Sequence, residues 1–209
     1  MSALTKLASS IGRRDKEPNK KFAKEIAEQE SHKAIDELVE NLNNKDKNIQ
    51  SDCIEVLYET GYIRPDLIAN YYKEFSDLLR CKNNRLIWGA MIALDTIASV
   101  KPKKIFSVLS EIVEAIAKGS VITKDAGVGI LAKLSAIKEY KGKILPLLME
   151  ELKMCPPKQL PMYAEKSLIA IDEKNKKEFI ELIKSRISGL EKESQRKRIK
   201  KILKEINIA

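Results

Sequence analysis

The stretch RLIWGAMIALDTIAS, residues 85–99, is the most apolar helix-length segment of the chain and holds its only tryptophan, Trp88. Apolar residues recur in it at intervals of three and four, which predicts an α-helix. They also occur on nearly every side of that helix, and a helix that is apolar all round is usually buried between neighbours. The stretch therefore predicts a central helix with a further helix packed on each side.

Similar helices recur on both sides of this stretch at an interval of 37 residues. One position of each copy holds a small residue, as close helix packing requires: Cys53, Ala90, Gly127 and Ala164. Four residues later every copy has a leucine: Leu57, Leu94, Leu131 and Leu168. A third position, one further turn along, is Thr60, Ile97, Leu134 and Ile171. Agreement at three helical positions predicts four structural repeats.

The whole chain is predicted to be helical, because no segment sustains the period-two alternation of a strand. Helices are predicted between Gly, Pro and Asn-rich turns. Their predicted ranges are 4–11, 18–42, 46–60, 65–79, 85–99, 102–118, 120–137, 144–152, 160–171, 176–190 and 191–206.

Each repeat has a first helix ending in an apolar pair, a short polar turn such as residues 43–47 or 82–84, and a second helix with small residues and leucine inward. This pattern resembles HEAT repeats over residues 31–190. The resemblance implies an all-α, right-handed α-solenoid of helical hairpins with roughly 10–12 helices, in which stacked units bury one another's apolar faces. It predicts one domain, residues 1–209, with N-terminal cap helices (1–30), four repeat units (31–171) and C-terminal capping helices (172–209).

The formal charge of +9 is concentrated at the two ends of the chain. Residues 1–24 carry seven Lys or Arg and two Asp or Glu, residues 192–209 carry the same numbers, and residues 25–191 have a net charge of −1. An electrostatic groove for nucleic acid needs its basic residues on one surface. The candidate nucleic-acid-binding residues are Arg13, Arg14, Lys20, Lys21, Arg196, Lys197, Arg198, Lys200 and Lys201.

The sequence contains no recognisable catalytic, metal or cofactor site. Its single histidine, His32, has a neighbouring serine but no base and orienting group in a known arrangement. Its three cysteines have no zinc-ligand spacing. The sequence therefore predicts a protein that is not an enzyme and that needs no cofactor.

Five residues on the second helices are candidates for binding a partner: Asp52, Glu55, Glu59, Trp88 and Asp95. The first three share one helix face by their spacing, and Asp95 lies one repeat later. If the second helices line the concave surface, as in related solenoids, these residues face a partner. Two alternatives stay open, a solvated helix face for the carboxylates and core packing for Trp88.

The leading hypothesis is a non-catalytic protein-protein interaction or scaffolding module whose partner is another protein. The alternative is a HEAT-like protein that binds nucleic acid through its basic termini. A third hypothesis is a DNA-glycosylase-like enzyme, because Trp88, Asp95 and Arg85 resemble the residue types that some HEAT-like glycosylases use, at a different spacing.

The sequence also predicts the compartment. No apolar run is long enough to cross a bilayer, and the N terminus lacks the apolar core of a signal peptide. An odd number of unpatterned cysteines is typical of reduced thiols. Together these features predict a cytoplasmic protein.

Overall fold

The computed structural model of the protein describes residues 2–208, with side chains through Ile206, and all regular structure within these residues is helical. The α-helices are α1 (Glu17–Gln29), α2 (His32–Glu40), α3 (Lys47–Ile63), α4 (Pro65–Ile68), α5 (Tyr72–Leu78), α6 (Asn84–Ile97), α7 (Pro102–Ser107), α8 (Leu109–Lys118), α9 (Val121–Ser135), α10 (Lys138–Met154), α11 (Leu160–Ser167), α12 (Lys176–Ser185) and α13 (Glu193–Ile208). Short 3-10 helices occupy Ala3–Lys6, Ser9–Ile11, Asn41–Asn43, Ala69–Tyr71, Leu168–Ala170 and Ile187–Gly189.

The chain divides into two compact units, residues 1–127 and 128–209, and the division falls within α9. In the first unit α1, α3 and α6 pack side by side, and α2, α4 and α5 pack against them as a second layer. In the second unit α10 packs on α11 and α12, and α13 packs on α11 and α12. The predicted single domain over residues 1–209 stays a prediction.

The repeat positions identify much of the core. The position that holds a small residue in each repeat is buried in all four copies, and Cys53, at this position in the first copy, is fully enclosed. Burial raises the pKa of the Cys53 thiol to about 12, so the thiol stays protonated and acts as a small apolar side chain. The leucine position is buried in three copies. Leu168 is partly exposed, because α11 ends at Ser167 and the chain continues as a 3-10 turn.

The first helices of two repeats are broken, where the sequence predicted one continuous helix for each. A 3-10 turn at Ala69–Tyr71 separates α4 from α5, and the hydroxyl of Tyr71 donates to the carboxylate of Asp36 on α2. Val108 separates α7 from α8, and just before it the Ser107 hydroxyl donates to the Lys104 carbonyl, which competes with helical hydrogen bonding. The broken pair α4–α5 is followed by α6, and the broken pair α7–α8 is followed by α9. These two repeats therefore have three helical segments each, as armadillo repeats do.

Several other predicted boundaries were wrong. The predicted helix 18–42 is divided into α1 and α2, because Glu30 adopts a left-handed conformation (φ 48°). The N-terminal stretch 4–11 forms two 3-10 turns instead of one amphipathic helix, and Ile11 is 51% exposed. Helix α10 begins at Lys138 and retains Pro146 inside it, whereas the sequence predicted a start at residue 144. Helix α3 continues through Gly61, which was predicted to end it.

Gly61 is instead a site of close helix packing. A Cβ atom built on it would lie 2.7 Å from the Ile68 Cδ1 atom of α4 and would overlap the Thr96 hydroxyl of α6. The absence of a side chain therefore allows α3 to approach both neighbours. Gly142 in α10 differs, because nothing lies within 4 Å of the equivalent Cβ position.

We expect Gly61→Ala to destabilise the protein by about 1–3 kcal/mol, because overpacking forces neighbouring helices apart. Gly142→Ala is the matched control and should be neutral or stabilise by up to about 1 kcal/mol, because alanine is the better helix former. Urea denaturation followed by circular dichroism measures both free energies of unfolding. Equal stabilities of the two variants would contradict the packing described for Gly61.

Candidate functional site

Three aromatic side chains form a row across α3 and α6, and we call Tyr62, Tyr58 and Trp88 the aromatic row. The ring centroids of Tyr58 and Trp88 are 6.0 Å apart at an angle of 54°, and those of Tyr58 and Tyr62 are 6.1 Å apart at 79°. Tilted and edge-to-face pairs of this kind are favourable. Tyr58 is buried, Trp88 is partly exposed and Tyr62 is 62% exposed. Trp88 is thus neither enclosed in the core nor fully open.

Two of the candidate carboxylates, Asp52 and Glu55, are held from α1 by a buried asparagine. The Asn19 amide nitrogen donates to Asp52 Oδ1 at 2.9 Å and to Glu55 Oε2 at 3.0 Å, and its oxygen accepts from the Ala8 N–H at 3.0 Å. The Ser9 N–H donates to Asp52 Oδ2 at 2.8 Å. Glu55 is only 7% exposed, so it does not lie on a solvated helix face.

The other two candidate carboxylates lie farther along the same helices, beside the exposed end of the aromatic row. Glu59 is half-buried, and this burial raises the pKa of its carboxyl while Lys20 lowers it. Burial also raises the pKa of Tyr62, and the charges of Asp95 and Glu59 raise it further. Negative charge therefore surrounds a tyrosine ring that is open to solvent.

The ammonium group of Lys16 lies against two rings of the aromatic row, Tyr58 of α3 and Trp88 of α6. This ammonium lies 2.7 Å from Glu55 Oε1, donates to the Tyr58 hydroxyl at 3.2 Å and is 5.5 Å from the centroid of the Trp88 ring. A carboxylate together with an aromatic face is a favourable environment for a cation. We call Glu55, Tyr58 and Trp88 the cation seat.

A cavity of about 650 Å³ lies beside the cation seat. One wall is the segment from Ala8 to Lys16, and the other consists of side chains of α3 and α6, among them Ser51 and Arg85. Its size is within the range of ligand sites in proteins. The Ser9 hydroxyl, at its edge, is buried and has no hydrogen-bond partner within residues 2–208.

The candidate nucleic-acid-binding residues lie in both units. In the first, Arg13 pairs with Asp15 at 2.8 Å and Lys20 with Glu17 at 3.3 Å. In the second, Arg196, Arg198 and Lys201 pair with Glu193, Glu165 and Glu205 at 3.8, 2.5 and 3.7 Å. The remaining ones are exposed: Arg14, Lys21, Lys197 and Lys200. Acidic neighbours thus balance much of the basic charge locally.

The sequence pointed to Trp88 and the four carboxylates but missed the residues that connect them. Tyr58 and Tyr62 are four residues apart and alternate with Glu55 and Glu59 along α3, a spacing that could have revealed them. Lys16 carried no such signal, because it comes from the segment just before α1.

Two further results concern metal ions and membranes. Among the side chains described, no group of three or more His, Cys, Asp or Glu could hold a metal ion. None of the helices within residues 2–208 is both long and apolar enough to cross a membrane.

No protein-family model matches the sequence, and no curated protein matches it. Solved structures do match. An engineered protein is 18% identical with a TM-score of 0.65, and the match covers 100% of this chain and 98% of the other. A designed armadillo repeat protein in complex with the peptide (KR)4 is 16% identical with a TM-score of 0.65, covering 90% of this chain and 87% of that one.

A natural protein, Kap121p bound to Pho4p, is also similar. It is 14% identical with a TM-score of 0.63, and the match covers 96% of this chain but 22% of Kap121p. Structural similarity at these low sequence identities establishes the fold. Function has to be argued from the residues of the site. The helical repeats and these matches show that the chain has the all-α fold of the armadillo-like HEAT-repeat solenoids.

Proposed function

We propose that the chain is a non-catalytic protein-binding scaffold that holds its partner on the face formed by α3 and α6. The observation that carries this proposal is the aromatic row, which is partly exposed and lies between a cavity and the half-buried carboxylates Glu59 and Asp95. Tyrosine and tryptophan dominate the binding energy of protein interfaces, because they bury a large area with few rotatable bonds.

The structural neighbours support a protein as partner. One of them is in complex with the peptide (KR)4 and another is bound to Pho4p. Stacked helical repeats present an extended surface that suits a peptide or a segment of another protein. The partner of this chain is accordingly proposed to be a protein.

A binding role fits the α3–α6 face better than a glycosylase-like reaction. Lys16 links the Trp88 ring to the carboxylate of Glu55, and the oxygens of Glu55 accept from Asn19, Tyr58 and Lys16. A general base needs an oxygen that can reach a proton of the substrate. These three donors favour a structural and binding role for Glu55.

We expect a photo-cross-linking residue, p-benzoylphenylalanine in place of Tyr62, to capture the partner in an extract of the source cells. With that partner purified, Trp88→Ala and Tyr62→Ala should each weaken binding at least about tenfold, as hot-spot residues do. Met154→Ala removes an exposed apolar side chain from the second unit and serves as control. Unchanged affinity in both aromatic variants would refute the proposed face.

The nucleic-acid alternative makes a separate prediction. Since acidic neighbours balance much of the basic charge, we expect no saturable binding to duplex or single-stranded DNA or RNA at about 50 mM salt. Fluorescence anisotropy with labelled oligonucleotides measures this. Saturable binding whose affinity falls steeply with salt would favour the basic termini as the functional surface instead.

A further inference from the structure

We propose that the exposed segment of residues 10–16 is a built-in competitor for the α3–α6 face, and that the partner displacing it is an extended segment with a lysine or arginine side chain. This role rests on the proposed function of that face. It adds the chemistry of the partner and the means by which access is regulated.

The cation seat defines which side chain can replace Lys16. Glu55 supplies a charge, the Tyr58 hydroxyl accepts a hydrogen bond from the ammonium, and the Trp88 ring offers its face. Tyr58 itself donates to Glu55 at 3.1 Å, which fixes the carboxylate that the cation meets. Only a cationic side chain satisfies all three groups at once.

The charge of the uncovered face points the same way. Without the segment, α3 and α6 carry four carboxylates, those of Asp52, Glu55, Glu59 and Asp95, against two cations of their own, Lys47 and Arg85. From α1, Lys20 offsets part of the charge at Glu59. The remaining excess is acidic and complements a basic partner.

The segment is attached in a way that permits its release. Ser9 is held to Asp52 through its N–H, and Lys16 to the cation seat, with its side chain 55% exposed. Residues 10–15 between them are exposed, and the hydrogen bonds described for them are made within residues 7–17. Displacing Lys16 therefore breaks one partly solvated ion pair, one hydrogen bond to the Tyr58 hydroxyl and one contact with the Trp88 ring, and it leaves the core in place.

The cavity under the segment offers room for the incoming chain. Ser9 and Ser51 line it, and the buried Ser9 hydroxyl lacks a partner among the described residues. A backbone amide or carbonyl of an extended peptide would satisfy that hydroxyl.

A tethered lysine competes at a high effective concentration, so a free peptide should bind weakly until Lys16 is removed.

The test uses a fluorescein-labelled peptide of alternating lysine and serine, a matched peptide of alternating glutamate and serine, and anisotropy at low salt. We expect Lys16→Ala to bind the lysine peptide at least about fivefold more tightly than the wild type, because the competing ion pair and ring contact are gone. Lys24→Ala removes the same charge from an exposed position of α1 and should leave the affinity unchanged. The glutamate peptide should not bind.

A second substitution locates the effect. Glu55→Gln added to Lys16→Ala should abolish the gain, because glutamine keeps an oxygen for Asn19 but removes the charge of the seat. Equal affinities of the Lys16→Ala and Lys24→Ala variants would overturn the competitor role, even if cross-linking at Tyr62 identifies a partner. A gain that depends on Glu55, without any cross-linked partner, would instead support the seat and refute the proposed function.

Discussion

One buried amide, that of Asn19, joins three parts of the first unit. It donates to carboxylates one turn apart on α3 and accepts from the N-terminal segment at Ala8. Buried or half-buried carboxylates are costly unless hydrogen bonds replace their water, and two of them side by side repel each other. The amide lets Asp52 and Glu55 remain close under the packed helices. The position of α1 against α3, and the path of the N-terminal segment, depend on it.

The binding face follows from this constraint. Because Asn19 holds one oxygen of Glu55, the other oxygen points to Tyr58 and Lys16. Burial, followed by the charge of Glu55, raises the pKa of the Tyr58 phenol, which keeps it protonated as a donor. Trp88 then packs on the Tyr58 ring with part of its surface open. A polar network inside the fold thus holds an aromatic surface in position at its edge.

The sequence was informative where packing imposes a residue type at a fixed interval. Close approach of helices demands a small side chain, so Cys53 and Ala90 identified the core faces of α3 and α6. The sequence was silent on Asn19, whose carboxylate partners are 33 and 36 residues away. Gly61 was misleading, because glycine ends helices in some places and permits close packing in others.

The central claim is that Asn19 and its partner Asp52 hold Ala8 and Ser9, which precede the displaceable residues 10–16, on α3. Hydrogen exchange measured by NMR at the Ala8 and Ser9 amides tests it most directly, because both donate to side chains of this network. We expect slow exchange at both in the wild type and fast exchange in Asn19→Ala, while the Gln50 amide of α3, which donates to the Asp46 carbonyl, stays protected. Fast exchange of Ala8 and Ser9 in the wild type, or protection that survives the substitution, would contradict the claim.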